Sequence, residues 1–463
     1  MNAGQIERNW LENAVPRKED IEHKIDWMNY VKKGQISDDQ ILVDWVSKVP
    51  GSNAPCHLVI AAIQAMRNKG YCVEEAEEYI ETGLEAVNNK DYSTLQRVTA
   101  KIYYLLNNAK LNKDSDYHKF KKYTSWEEIS AKISFDEFIY HINSDSFAES
   151  IKAGWIAQLI GGALGTQIEG YTKRNIEKVF GKNISTYLRH PETYNDDITY
   201  ELVFLEAFEK KGNNITSNDI AEAWLELIAD GYSAERIALE NLRRGHFPPN
   251  SGLIDNYFSD WIGVQMRTMV HGMVAPGNPK LAAKLSIYDG VVSHSNSGIL
   301  GGMFNAVMVS LAFVEKDMKK VIEKAIKYIP DDSEYYSVIS YALQLCKSYS
   351  NWEVAWAQAE GKYKYYNWIH VYPNIVAEII ALWFGNNDFE ETTKIICGCG
   401  LDVDCTAAPV LNILAIATGS NVIKEELILP LNNEVKTILR DKRIVSIDNL
   451  IKKTINLTRD ANK

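Results

Sequence analysis

The chain has 463 residues, 46% of them hydrophobic and 24% charged, with a formal net charge of −11. That length exceeds what one hydrophobic core usually organises, so two domains are expected, and the composition is that of an ordinary globular protein. The acidic balance argues against a nucleic-acid binder, which would carry a basic face. It leaves anionic ligands open, because a bound cation or a helix N-terminus reverses the local field.

Met1 to Pro16 has neither an apolar run nor a small-residue cleavage pattern, so no secretory signal is expected. Six cysteines (Cys56, Cys72, Cys346, Cys397, Cys399, Cys405) show no framework spacing, which makes the cytoplasm the expected location. A helix is predicted over 37–49, with Ser37 as its cap and Asp38-Asp39 in the first turn, ended by Pro50-Gly51-Ser52-Asn53. Further helices are predicted over 56–69, 73–87 and 94–108. Trp10, Trp27 and Trp45 are spread along this region as packing residues. Lys110 to Tyr123 is polar and aperiodic, so 109–145 is expected to be linker-like. It would join an amino-terminal helical domain, 1–145, to a larger domain, 146–463. Strand alternation is scarce, and the predicted class is all-α.

Ala153 to Gly165 carries four glycines, each costing about 1 kcal/mol relative to alanine inside a helix. Such a density implies close approach of another helix or of a ligand. Glu169 follows; alone it would be an ordinary solvated residue. Asn195-Asp196-Asp197-Ile198-Thr199 then opens a helix over 196–210, with Ile198, Leu202, Leu205 and Phe208 on one stripe. Two aspartates there suit a helix dipole as well as they suit a hard cation.

Gly298 to Val314 is short of the roughly 20 residues of a membrane span and contains Asn305 and Ser310, so a buried core helix is predicted. His294, ringed by Ser293, Ser295, Asn296 and Ser297, stands before it. A lone histidine is usually a bonded core residue, but this polar setting beside an apolar wall makes substrate contact the second reading. The second acidic cluster, Asp402-Val403-Asp404-Cys405-Thr406, leads into a helix over 406–417 stopped by Gly419. An extended lead-in would put Asp402 and Asp404 on one side. Counted from Asp402, positions six and twelve are Ala407 and Ile413, which excludes an EF-hand. Cys397, Cys399 and Cys405 match no zinc spacing, and no H-E-x-x-H, G-x-S-x-G or Walker loop occurs. Pro409 would remove a backbone bond and kink the first turns unless the helix starts at Thr406 or later.

Taken in order, Gly161-Gly162-Ala163-Leu164-Gly165 with Glu169, the Asp196-Asp197 pair, Ser293-His294 and Cys399 to Ala408 resemble the motifs of the ADP-ribosylglycohydrolase family, the relatives of dinitrogenase-reductase-activating glycohydrolase. Gly263 to Arg267, Pro276 to Ala282 and Pro373-Asn374 agree with it. The resemblance covers residues 148–420, and 1–145 lies outside.

It implies a multi-helix orthogonal all-α domain with a binuclear centre of two Mg²⁺ (or Mn²⁺) ions. The ligands it implies are Asn195, Asp196, Asp197, Asp402, Asp404 and Cys405. Catalytic roles fall on Glu169, Asp197 and Asp404, and substrate contacts on Gly162, Gly165, His294, Asn296 and Gly298. The implied reaction is hydrolysis of the bond between C1″ of an ADP-ribosyl group and an acceptor such as an arginine or serine side chain. Gly162, Asn195, Ile198 and Cys405 depart from the family's pattern, and a thiol is a poor ligand for a hard cation.

The changes at Asn195 and Cys405 motivate one alternative, a weak or inactive member that binds ADP-ribose or a nucleotide, and a metal hydrolase of another ribosylated small molecule is a second. The expected partners are ADP-ribose or an ADP-ribosylated protein or small molecule, with no nucleic acid and no membrane. A protein partner is one role open to the amino-terminal domain.

Overall fold

The computed structural model describes residues 2–16 and 27–461. Over these the protein is all-α: helix follows helix, and the extended pieces are three antiparallel ladders of two or three residues a strand. Among the described residues, no helix is long and apolar enough to cross a membrane.

Two helices form the spine on which the site is built. Ser144 caps the first, Asp145–Gly165, by accepting the Phe147 N–H at 3.2 Å. It lies along the second, Val403–Thr418, and the glycines let the backbones touch. A Cβ at Gly161 would collide with the Ala407 backbone, and one at Gly165 with the Asp404 backbone. The predicted core helix is Ser297–Ala312, with every residue buried, and Val371–Phe384 is nearly as enclosed. Helices apolar all round are stable only inside such a core. One continuous cluster of buried apolar side chains runs from Trp45 to Ile451.

Several local expectations shift. The helix predicted from Ser37 begins upstream, at Trp27, and ends at Trp45, so Ser37 lies mid-helix and caps nothing. Its Ser-Asp-Asp signature is local, and the longer helix overrides it. The stretch 73–87 divides into Glu74–Glu77 and Ile80–Asn89, while Leu58–Asn68 and Tyr92–Asn107 match their predictions closely. Trp45 is fully buried, its indole N–H donating to Thr99 Oγ1 at 2.6 Å. Trp10 is 65% exposed and packs no core, and the Trp27 side chain lies outside the described residues. Within 109–145, Tyr123, Trp126 and Ile129 are buried, and the Tyr123 carbonyl accepts the Asn296 N–H at 2.8 Å.

Candidate functional site

Asn195 folds back as the cap of the helix Asp196–Lys211, its side-chain carbonyl accepting the Asp197 N–H at 2.7 Å. Asp196 and Asp197 thereby occupy the first turn, where unpaired N–H groups favour negative charge. On the opposite side the chain leaves the helix Phe389–Cys399 through Gly400 and Leu401, at φ 75° and 69°. A leucine in the left-handed region costs on the order of 1–3 kcal/mol and persists only when its surroundings hold it. Here Gly400–Leu401 pairs with Tyr171–Thr172, and the Gly170 N–H donates to the Leu401 carbonyl at 2.8 Å. That ladder sets Glu169 beside Asp402.

Asp402 stands at the N-cap, and the helix begins at Val403, so Asp404 is already in the first turn. The lead-in is not extended, since Gly400 and Leu401 both take positive φ. Asp402 and Asp404 meet nonetheless: donor atoms of Asp402, Asp404 and Cys405 all lie within 4.8 Å of one another. The Asn195 amide nitrogen reaches Asp404 Oδ2 at 3.4 Å, and the Cys405 thiol reaches Asp197 Oδ1 at 3.4 Å. Two clusters 208 residues apart in the chain are therefore one site. Because the helix starts before Thr406, Pro409 is interior and withdraws the donor that the Cys405 carbonyl would take.

Glu169, Asp197, Asp402 and Asp404 are all less than a tenth exposed, and Asp196 is half-buried. Burial pushes Asp196 up to about 6, and it pushes Glu169, Asp197 and Asp402 well above the usual carboxylate range. The negative charge of the neighbours, Asp404 prominent among them, adds to it. Among the described residues no cationic side chain pairs with any of them.

Asp197 Oδ2 is buried with no hydrogen-bond partner. An orphaned carboxylate oxygen amid like charge is what a divalent cation relieves, and oxygen donors suit Mg²⁺ or Mn²⁺. The four aspartates fit such an ion. The Asn195 carbonyl is engaged as a helix cap, and burial raises the Cys405 thiol well above its usual range.

Gly162 and Gly165 line this junction: a Cβ at Gly162 would stand 3.1 Å from Asn195 Nδ2, and Gly165 lies against Asp404. His294 belongs to a second polar cluster centred on Arg267, Gly298 lies against the His294 ring, and Asn296 bonds to Tyr117 instead. That arginine is completely buried and donates to Asp289 Oδ1 at 2.7 Å, Glu235 Oε1 at 2.9 Å, the Gly263 carbonyl at 2.7 Å and Ser293 Oγ at 2.9 Å. The rings of Tyr200 and Trp224 lie 5.1 and 4.9 Å from its guanidinium carbon. Ser293 Oγ accepts from Arg267 and shares a second hydrogen bond with His294 Nδ1, 2.7 Å away.

Burial, then the charge of Arg267, holds His294 well below its usual range. The other ring nitrogen, Nε2, has no hydrogen-bond partner and lies 3.9 Å from Glu235 Oε1. Glu235 is pushed up to about 7 by burial, with Arg267 opposing and Asp196 adding to it, so this cluster adjoins the acidic centre. Asn296, at φ 49°, donates through its side chain to the Tyr117 hydroxyl at 3.3 Å.

A family model described as ADP-ribosylglycohydrolase matches residues 143–459, more than half of the chain. The chain belongs to the ADP-ribosylglycohydrolase family. A solved structure described as "ADP-ribosylglycohydrolase-related protein complex" is similar at 17% identity and a TM-score of 0.50, covering 69% of this chain and 100% of that one. At that identity the likeness is one of fold. A search of curated proteins gives no match.

This glycohydrolase-family chain brings Glu169, Asn195, Asp196, Asp197, Asp402, Asp404 and Cys405 into one centre and sets His294 in the adjoining cluster with Gly298 against its ring, whereas Asn296 bonds to Tyr117. Sequence reasoning missed Glu235, Asp289 and Tyr232, and it named Arg267 without a role. One signal was present: apart from His271, Arg267 is the lone charged or titratable residue in the apolar run from Trp261 to Met273.

Proposed function

We propose that this protein hydrolyses the glycosidic bond between C1″ of an ADP-ribosyl group and a nitrogen or oxygen of its acceptor, in a divalent-metal-dependent reaction. The observation that carries this reading is the buried aspartate set with Asp197 Oδ2 unpartnered, in a chain of this family. Mg²⁺ or Mn²⁺, two ions by the family's pattern, would be held by Asp196, Asp197, Asp402 and Asp404 and would supply Lewis acidity and charge neutralisation to an oxocarbenium-like transition state.

Glu169, buried beside Asp404, would take the proton of the attacking water once bound cations offset the negative charge that now keeps its carboxyl protonated. The bond from that water to C1″ forms as the bond to the acceptor breaks, and Glu169 returns the proton to the leaving nitrogen or oxygen. His294 Nε2 is a buried ring nitrogen with no partner inside the protein, and in the tautomer protonated there it would donate to a phosphate or ribose oxygen. All six cysteines are free, which supports a reducing, cytoplasmic setting.

Free ADP-ribose released from arginine- and serine-linked substrates, with and without Mn²⁺, tests the reading. Asp404→Ala should abolish both Mn²⁺ binding and turnover, the latter by at least about 100-fold. No release from any acceptor by metal-loaded protein would overturn it. The Asn195 cap and the Cys405 thiol favour one second reading, a member that binds ADP-ribose without turnover. Tight ADP-ribose binding with no release would select it.

A further inference from the structure

Two of the ligands implied for a pair of ions, Asn195 and Cys405, are turned the wrong way for a cation. The Asn195 side-chain carbonyl accepts the Asp197 N–H at 2.7 Å. A backbone N–H can only donate, so the atom facing it is the oxygen. The amide nitrogen is therefore the one directed at Asp404 Oδ2, 3.4 Å away. An amide N–H₂ offers two donors and no acceptor, so it cannot ligate a metal. Gly162 makes room for this orientation, since a Cβ there would stand 3.1 Å from the same nitrogen. At the other end of the set, the Cys405 thiol donates to Asp197 Oδ1 at 3.4 Å and lies 3.6 Å from the Met266 sulfur. A soft sulfur engaged in this way is a poor ligand for Mg²⁺ or Mn²⁺.

The same two residues do part of the work of a cation. Asp404 Oδ1 accepts the Cys405 backbone N–H at 2.9 Å, and Oδ2 accepts the Asn195 amide, so both oxygens are engaged from within the chain. Asp197 Oδ1 has the Cys405 thiol, and Asp197 Oδ2 has no partner. Of these four oxygens, one is left for an outside cation. The space beside Asp197, bounded by Gly162, Glu192, Asn195 and Ile198, measures about 10 Å³. That is room for about one water-sized body. An octahedral ion keeps several waters of its own, so a second ion finds neither donors nor room on this side.

We propose that the centre holds one divalent cation per chain, with the Asn195 amide and the Cys405 thiol standing in the place of a second. The inference rests on the metal dependence of the hydrolase reading above, and it lowers the count that the family's pattern implies. Asp196, Asp197, Asp402 and Asp404 then serve a single ion.

Titration with Mn²⁺ alone, followed by calorimetry and by electron paramagnetic resonance, tests this. Wild type should bind one Mn²⁺ per chain and give the hyperfine pattern of an isolated ion. A variant carrying both Asn195→Thr and Cys405→Thr puts a hydroxyl oxygen in each place, and a threonine still caps the helix. It should bind two Mn²⁺ per chain, with the exchange-coupled spectrum of ions about 3.5–4 Å apart. Melting of the metal-free variant close to that of wild type confirms that it folds.

Two coupled ions in wild type, or a folded double variant that still takes one, would overturn the proposal. If the double variant does not fold, the wild-type count and spectrum decide alone. Failure of the hydrolase reading looks different. One bound Mn²⁺ with no ADP-ribose released from any substrate removes the hydrolase and leaves the single-ion centre standing. No Mn²⁺ bound to wild type would overturn both.

Discussion

Around Arg267, two carboxylates, a serine and a backbone carbonyl converge on one guanidinium, whose positive charge comes from within the protein. Burial works to raise Asp289, but Arg267 holds it below the usual carboxylate range. A few residues away in space, the carboxylates of Glu169, Asp197 and Asp402 are buried as well, Asp196 is half-buried, and all four are pushed up. The difference is the source of positive charge. One cluster carries its own cation and is a structural joint that also orients Ser293 and His294. The other has oxygen donors in excess of anything in the chain to satisfy them, as a site for an external cation does. Burial and acidity are common to both; the balance of partners separates a joint from a site.

The sharpest break in that comparison is Arg267→Met. It leaves Asp289 and Glu235 buried without their partner and should cost about 3–5 kcal/mol in urea denaturation. Stability nearly unchanged would mean that the two clusters are not distinct in kind.

Glu201 stands between the cases: buried, it accepts from the Val270 N–H at 3.0 Å and from Gln158 Nε2 at 2.6 Å, with no cation. Burial outweighs those bonds and pushes it up to about 8 from 4.5. Its folded value lies above its unfolded one, so its stabilising contribution is complete below pH 4.5 and declines as pH rises through about 8. Glu201→Gln should flatten the stability profile across that window, by an amount on the order of a few kcal/mol.

Mn²⁺ supplied at 100 times its Kd should raise the unfolding free energy by about 2.7 kcal/mol, read as a higher melting temperature. The effect should weaken as pH falls through about 6, where Asp196 takes up its proton. A metal response that is absent at pH 8 would count against the external-cation account.

The smallest effect has the opposite sign to the first. Asp197→Asn removes one of several repelling charges and should raise the stability of the metal-free protein by about 1 kcal/mol while abolishing Mn²⁺ binding. A loss of stability similar to that of Arg267→Met would place the acidic centre among the structural joints.

Much of the site was legible because its signals are local. Asn195 before Asp196-Asp197 and an apolar stripe mark a helix start. Asp402 and Asp404 before a small-residue run mark another, and the glycines at 161 and 165 announced the backbone contact that joins them. What stayed hidden depends on distant partners. Arg267 meets Asp289 and Glu235 at separations of 22 and 32 residues, with no period or motif linking them. Pro50 to Asn53 was legible as a helix break, but its clasp on Tyr171 spans 119 residues. Ser37 misled for the converse reason, since a good local cap signature lost to a helix already under way.

By itself, then, the sequence determined the all-α class, the two acidic helix starts and the residue types available to a cation. These are set by side-chain periodicity and by capping chemistry, which act within a turn or two of the chain. Only the tertiary structure decided that Asp197 and Cys405 meet, that Asn195 spends its carbonyl on a cap, that Arg267 neutralises one acidic group and not the other, and that an amino-terminal hairpin clasps Tyr171. Each of these turns on burial, because removing water makes an unpaired charge costly, and which charges are buried together is a property of packing between distant segments.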